Sequence, residues 1–154
     1  MKNTRRSAFT LIEILIVVVI MAVLAATIIP QFSTSTDDAK RGALQFNLHT
    51  LREQVDLYKI NHNGAVPTTI TAGALPQLVG TTDATGATGT GTNFPFGPYM
   101  TGGMPSNPYD NKNTVSSSTA TSATPPTAAT ASGGYLYNTT TGDIFANTAN
   151  HLTD

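Results

Sequence analysis

From Phe9 to Ile29 the chain reads FTLIEILIVVVIMAVLAATII, an apolar run whose polar members are Thr10, Glu13 and Thr27. As a helix rising 1.5 Å per residue, the run would measure about 31 Å, close to the hydrocarbon thickness of a bilayer. Pro30 follows; it removes one backbone donor and crowds the turn before it, so the pattern predicts a kink there with helix resuming beyond. Between Thr36 and His62 the residues Leu44, Leu48, Leu51, Val55 and Tyr58 recur at alternating steps of four and three. That is the stripe of an amphipathic helix with one buried face, and it is expected to pack against the rest of its own domain. Asp37, Asp38, Lys40, Arg41, Arg52, Glu53 and Lys59 supply the wet side. Asn61, Asn63 and Gly64 end the helix, because glycine accepts the left-handed backbone of a C-terminal cap, and Pro67 makes the stop firm.

Beyond residue 64 the chain is rich in Thr, Ala, Ser, Gly and Pro, with short apolar islands. Gly80 to Asn93 and Thr114 to Gly133 have almost no large apolar side chains, so both are expected to be exposed loops. Ala72 to Val79 predicts a short helical turn, Phe94 to Met104 an irregular aromatic segment, and Tyr135 to Asn147 a hairpin around Thr-Thr-Gly-Asp. The predicted fold is α+β: one long, kinked N-terminal helix with an apolar first half, packed in its second half under a small antiparallel sheet with long polar loops.

With 154 residues, there is room for one modest domain once a membrane segment is set aside. Charged residues are 11% of the chain and the formal net charge is -1, so no basic field exists to hold a nucleic acid backbone. The chain has no cysteine, which removes disulfides, thiolate metal sites and cysteine nucleophiles together. Lys2, Arg5 and Arg6 all precede the apolar run and would stay cytoplasmic, placing everything after residue 30 across the membrane. The sequence thus divides into a basic leader, 1–8, an apolar half-helix, 9–30, and a globular domain, 31–154.

Glu13 is the candidate functional residue. A lone carboxylate in a membrane segment costs about 2.5–3.5 kcal/mol even on lenient scales, and such residues mark function. No basic side chain follows it until Lys40. Cleavage between Ala8 and Phe9 would create an α-amine, mostly protonated at neutral pH, four residues from the carboxylate. The positive end of its own helix also favours the charge. Two other readings stay open: a permanent signal anchor holding a membrane-tethered binding or adhesive domain, and a secretory signal cut after Ala25 to leave a soluble chain starting at Ala26.

Arg5-Arg6-Ser7-Ala8-Phe9-Thr10-Leu11-Ile12-Glu13, followed by an apolar run ending at Pro30, resembles the type IV pilin and pseudopilin signature. The resemblance implies that a prepilin peptidase cuts between Ala8 and Phe9, that Phe9 becomes N-methylated, and that an inner-membrane assembly platform extracts subunits into a helical homo-oligomeric filament. It implies for Glu13 the role of registering each subunit against its neighbour's amine. Ala8 stands where the family has glycine, and alanine is the next smallest side chain.

A further resemblance, to the major pseudopilin of type II secretion, rests on Asp38-Ala39-Lys40, Leu57 to Asn61, Gly64 to Thr69, Leu75 to Val79, Met104 to Asp110 and Gly134 to Tyr137. That group's calcium loop has no convincing counterpart: Asp143, Asp154, Asn147 and Asn150 are too few donors, so no metal or cofactor is expected. The missing cysteines favour a pseudopilin or a cysteine-free pilin. Secretion pseudopilus, surface pilus and DNA-uptake pilus remain open, as do major and minor subunit.

Other patterns yield less. Gly86 to Gly91 is glycine-rich, but no lysine follows to make a phosphate cradle. His49, His62 and His151 have no ligand spacing and are expected to be solvated. Asn138-Thr139-Thr140 fits a glycosylation sequon and Thr114 to Ser132 offers hydroxyls for O-linked sugars, matches that a Thr-rich composition also produces by chance. No nucleophile, base and oxyanion set can be assembled, so a structural role and not an enzyme is expected.

Overall fold

The computed structural model describes residues 9–153, apart from the side chains of Pro30 and Ser33. Helix α1 spans Leu11–Asn61, 51 residues, and its backbone stays helical through Pro30. The chain forms two compact units, one ending at Ala39 and one beginning at Lys40.

In the first unit every described side chain from Phe9 to Ala39 is exposed. The polar groups of this stretch are handled locally: the Thr27 hydroxyl donates to the Leu24 carbonyl at 3.0 Å, and the Thr36 hydroxyl to the Phe32 carbonyl at 2.8 Å. Such back-bonding lets threonine sit in an apolar helix without an orphaned donor.

In the second unit the predicted stripe is the core. Leu44, Leu48, Leu51, Val55 and Tyr58 are each at most 1% exposed and cluster with Leu75, Leu78, Val115, Tyr135, Tyr137, Ile144 and Ala146. Burying side chains of this size contributes about 1.5–3 kcal/mol apiece before conformational entropy is set against it. Helix α1 closes as the sequence predicts. Asn63 and Gly64 take positive φ of 54° and 86°, and the Gly64 N–H donates back to the Lys59 carbonyl at 2.8 Å.

Helix α2, Pro76–Val79, is the expected short turn, and Leu78 enters the main core from it. Strands β4, Tyr135–Tyr137, and β5, Ile144–Ala146, form the expected antiparallel hairpin, with Leu136 opposite Phe145. Alternation sorts the two faces: Tyr135, Tyr137, Ile144 and Ala146 join the helix stripe, while Leu136 and Phe145 meet Leu152 in a smaller cluster on the other side.

Three expectations need correction. Thr114 to Gly133 is not all loop: β3, Val115–Ser117, adds to β4 as a parallel strand, making a mixed three-stranded sheet, and Val115 is buried. Gly80 to Asn93 contains β1, Thr81–Thr82, paired antiparallel with β2, Thr88–Gly89. Polar Thr and Ser side chains hid both, because strand pairing uses the backbone and asks little of a side chain that stays at the edge. His62 is buried, not solvated; its ring stacks on Tyr58 and its nitrogens lie 2.9 Å from the Tyr58 and Asp83 carbonyls.

Candidate assembly site

Helix α1 begins with a reciprocal pair. Thr10 is the N-cap, and its N–H and hydroxyl both donate to Glu13 Oε2 at 2.8 Å, while the Glu13 N–H reaches back to the Thr10 hydroxyl at 3.3 Å. This is a capping box, Thr-x-x-Glu, which satisfies two backbone donors that the start of a helix otherwise leaves open. It also fixes the carboxylate on the first turn, against the positive end of the helix dipole. Both recorded bonds fall on Oε2, so among the described residues Oε1 is the oxygen left for a further donor. Sequence reading singled out Glu13 for its charge and overlooked its tie to Thr10, although the Thr-x-x-Glu spacing was there to find.

Phe9, 82% exposed, immediately precedes this cap. The structure therefore brings Phe9, Thr10 and Glu13 together at one helix end and separates them from Pro30 by the length of the apolar run. The leader, with Ala8, lies outside the described residues. From Leu11 onward the side chains include Ile12, Ile14, Leu15, Ile16, Val17 and Val18, all large, apolar and exposed. The helix is long and apolar enough to cross a membrane, by length and composition.

The globular unit holds its polar groups by a buried network. Gln77 accepts from the Thr68 and Thr69 N–H groups at 2.7 and 2.9 Å, and donates to the Tyr58 hydroxyl at 3.0 Å and the Gly86 carbonyl at 2.7 Å. Asn107 donates to the Gly134 carbonyl at 2.9 Å and the Thr148 hydroxyl at 2.8 Å, and accepts from the Tyr109 N–H. These amides join loops to the core and leave no buried side-chain nitrogen or oxygen unpaired among the described residues. Burial pushes the Tyr135 hydroxyl up to about 12 and raises that of Tyr137 as well, so both stay neutral. Among the described residues no group of three or more His, Asp or Glu side chains is arranged to hold a metal.

A capped, exposed apolar half-helix joined in sequence to a helix-backed small sheet defines a pilin-like α+β protein. Residues 3–29 match the family described as the prokaryotic N-terminal methylation motif. The chain is 39% identical over 69 residues to type II secretion system core protein G of Pseudomonas aeruginosa, covering 45% of this chain and 48% of that one. It is 34% identical over 96 residues to the core protein G of Klebsiella pneumoniae, covering 62% of this chain and 64% of that one. The chain is thus similar to the prokaryotic N-terminal methylation motif over its first part and to the core protein G relatives over about half to two thirds of their length. In the P. aeruginosa comparison the match spans about half the length of the curated relative. No solved structure matches the chain.

Proposed function

We propose that this chain is a structural subunit of a filament of the type IV pilus and type II pseudopilus kind. The observation that carries the proposal is the first half of α1, which exposes every described side chain and holds one charge, Glu13, fixed by its cap. Such a surface needs an apolar surrounding, and one segment can have two in succession: the bilayer before assembly, and neighbouring helices afterwards. The likeness to core protein G favours the secretion pseudopilus.

In this reading a prepilin peptidase cuts between Ala8 and Phe9, the Phe9 amine is methylated, and the globular domain stands on the extracytoplasmic side. Thr10 keeps Glu13 Oε2, and the amine of a neighbouring subunit takes Oε1. Pro30 has no N–H to give to the backbone ladder at the end of the apolar run, and in this reading it is where the helix bends on assembly. The partners are further copies of the chain, the peptidase and an inner-membrane assembly platform.

Mass spectrometry of the N-terminal peptide from native cells tests this reading. A methylated Phe9 start is expected. A start at Ala26 would mean an ordinary secreted protein, and an intact Met1 in cells with active prepilin peptidase would mean a permanent anchor.

A further inference from the structure

Two parts of the sequence invite a sugar, and the structure separates them. The sequon at Asn138 is closed: its side chain is buried, its amide nitrogen donates to the Ala120 carbonyl at 2.9 Å, and its oxygen accepts from the Thr140 and Thr141 N–H groups. The Ser- and Thr-rich crossover before it is different. Most of its hydroxyls are engaged: Thr121 with Thr124, Ser122 with Asp143, and Thr130 with Ser132. Thr127 is exposed and has no hydrogen bond among the described residues.

Its surroundings are equally open. Pro125 to Ala129 make no backbone hydrogen bond among the described residues, so this short segment can leave the surface without breaking any. Thr119, also exposed and unpaired, differs here. Its neighbours are pinned to the sheet, Ser118 through the Tyr137 carbonyl and Ala120 through the Asn138 amide. A recess of about 330 Å³ lies beside Thr127, lined by Ser117, Thr119, Thr124, Pro125, Pro126 and Leu136. Its mixture of hydroxyl and apolar walls suits a sugar ring, which has hydroxyl edges and C–H faces.

We propose that Thr127 is the acceptor for an O-linked sugar. The donor is a sugar activated through an anomeric phosphate, carried on a nucleotide or a lipid. Thr127 Oγ1 forms a bond to the anomeric carbon, the carbon–oxygen bond to phosphate breaks, the phosphate leaves with the electron pair, and the hydroxyl proton passes to a base of the transferase. A Ser/Thr stretch containing proline is the composition of O-glycosylated stalks, and here it is attached to a folded domain that leaves the Thr127 hydroxyl approachable on a segment free of backbone hydrogen bonds among the described residues. This site does not depend on filament assembly.

No lysine or arginine follows Lys112 in the sequence, so trypsin leaves residues 113–154 uncut, in one peptide that contains both Thr127 and Asn138. From native cells this peptide is expected to weigh more than its sequence by one or more sugar residues, with fragmentation placing the increment on Thr127. In Thr127→Ala the increment is expected to disappear with no change in thermal unfolding. A native peptide at its sequence mass, a sugar on Asn138, or an increment that persists in Thr127→Ala would each overturn the proposal.

Discussion

Tyr58 and His62 stack face to face at the end of α1, with ring centroids 3.8 Å apart and planes 9° from parallel. The Tyr58 hydroxyl accepts from Gln77, whose side chain also holds Thr68, Thr69 and Gly86, while the second His62 nitrogen lies 2.9 Å from the Asp83 carbonyl. The last turn of the helix is thereby joined to α2 and, through it and directly, to two loop segments, 68–69 and 83–86.

Gln77→Leu is therefore expected to destabilise the globular unit by about 2–4 kcal/mol, since it removes four hydrogen bonds at once and leaves the buried Gly86 carbonyl and Tyr58 hydroxyl without this partner. Denaturant unfolding of the detergent-solubilised chain, followed by tyrosine fluorescence, would measure it. A loss below about 0.5 kcal/mol would show that water replaces the amide without cost.

Ala72 sits at φ 50° and Gly73 at φ 74°, between the bridged residues Thr71 and Ala74. Two positive-φ central residues are what a tight hairpin turn of the Asn-Gly kind requires, and alanine is strained there. Ala72→Asn should raise stability by about 0.5–1 kcal/mol, seen as a higher thermal midpoint. Ala72→Val should lower it.

Acid should weaken the globular unit. The Thr85 hydroxyl, against some opposing desolvation and with help from the Ala87, Thr85 and Gly86 N–H groups, holds the Asp83 carboxyl below its ordinary 3.8. For Asp143, desolvation pushes upward, but the Ser122 and Thr141 hydroxyls, the Ser122 N–H and Lys59 outweigh it, and the net shift is down. A lowered folded pKa contributes stability that is present above the unfolded value and is lost as pH falls through the folded one. Thermal midpoints recorded from about pH 5 to 2 should fall below about pH 4, and Asp83→Asn should flatten that limb. An unchanged slope would mean that these carboxylates keep their bonds in the unfolded chain.

Glu13 allows charge and cap to be tested apart. Glutamine preserves a Thr-x-x-Gln capping box but cannot pair with an amine, whereas leucine loses both. Losing one partner of a buried ion pair costs about 3–5 kcal/mol, and the loss recurs at every subunit contact. Glu13→Gln and Glu13→Leu are both expected to insert in the membrane yet be missing from sheared filaments, with Glu13→Asp partly assembled. Normal filaments from Glu13→Gln would leave the cap, not the charge, as the reason for this residue.

Much of this was legible because large apolar side chains report their own burial. The steps of four and three from Leu44 to Tyr58 located the core, and the β-forming runs at Tyr135 and Ile144 located the hairpin. Strand β3 was hidden because Ser116 and Ser117 carry no apolar signal and its partner lies far along the chain, in parallel register. His62 was hidden for a related reason: backbone carbonyls satisfy its ring, and no sequence period records them. The Thr10–Glu13 box becomes readable once the helix start is placed at Leu11.

Because β3 and β4 run the same way, the chain leaving Ser117 must travel back the full length of the strand before Tyr135 can begin. The stretch from Ser118 to Gly134 is a return line, and what the fold asks of it is reach. Adding or removing a few residues near Pro125 to Ala129 should trouble the domain less than a single charged replacement of Val115 or Tyr135. That makes this crossover the part of the molecule most open to a change of length, while the strands at either end stay where they are.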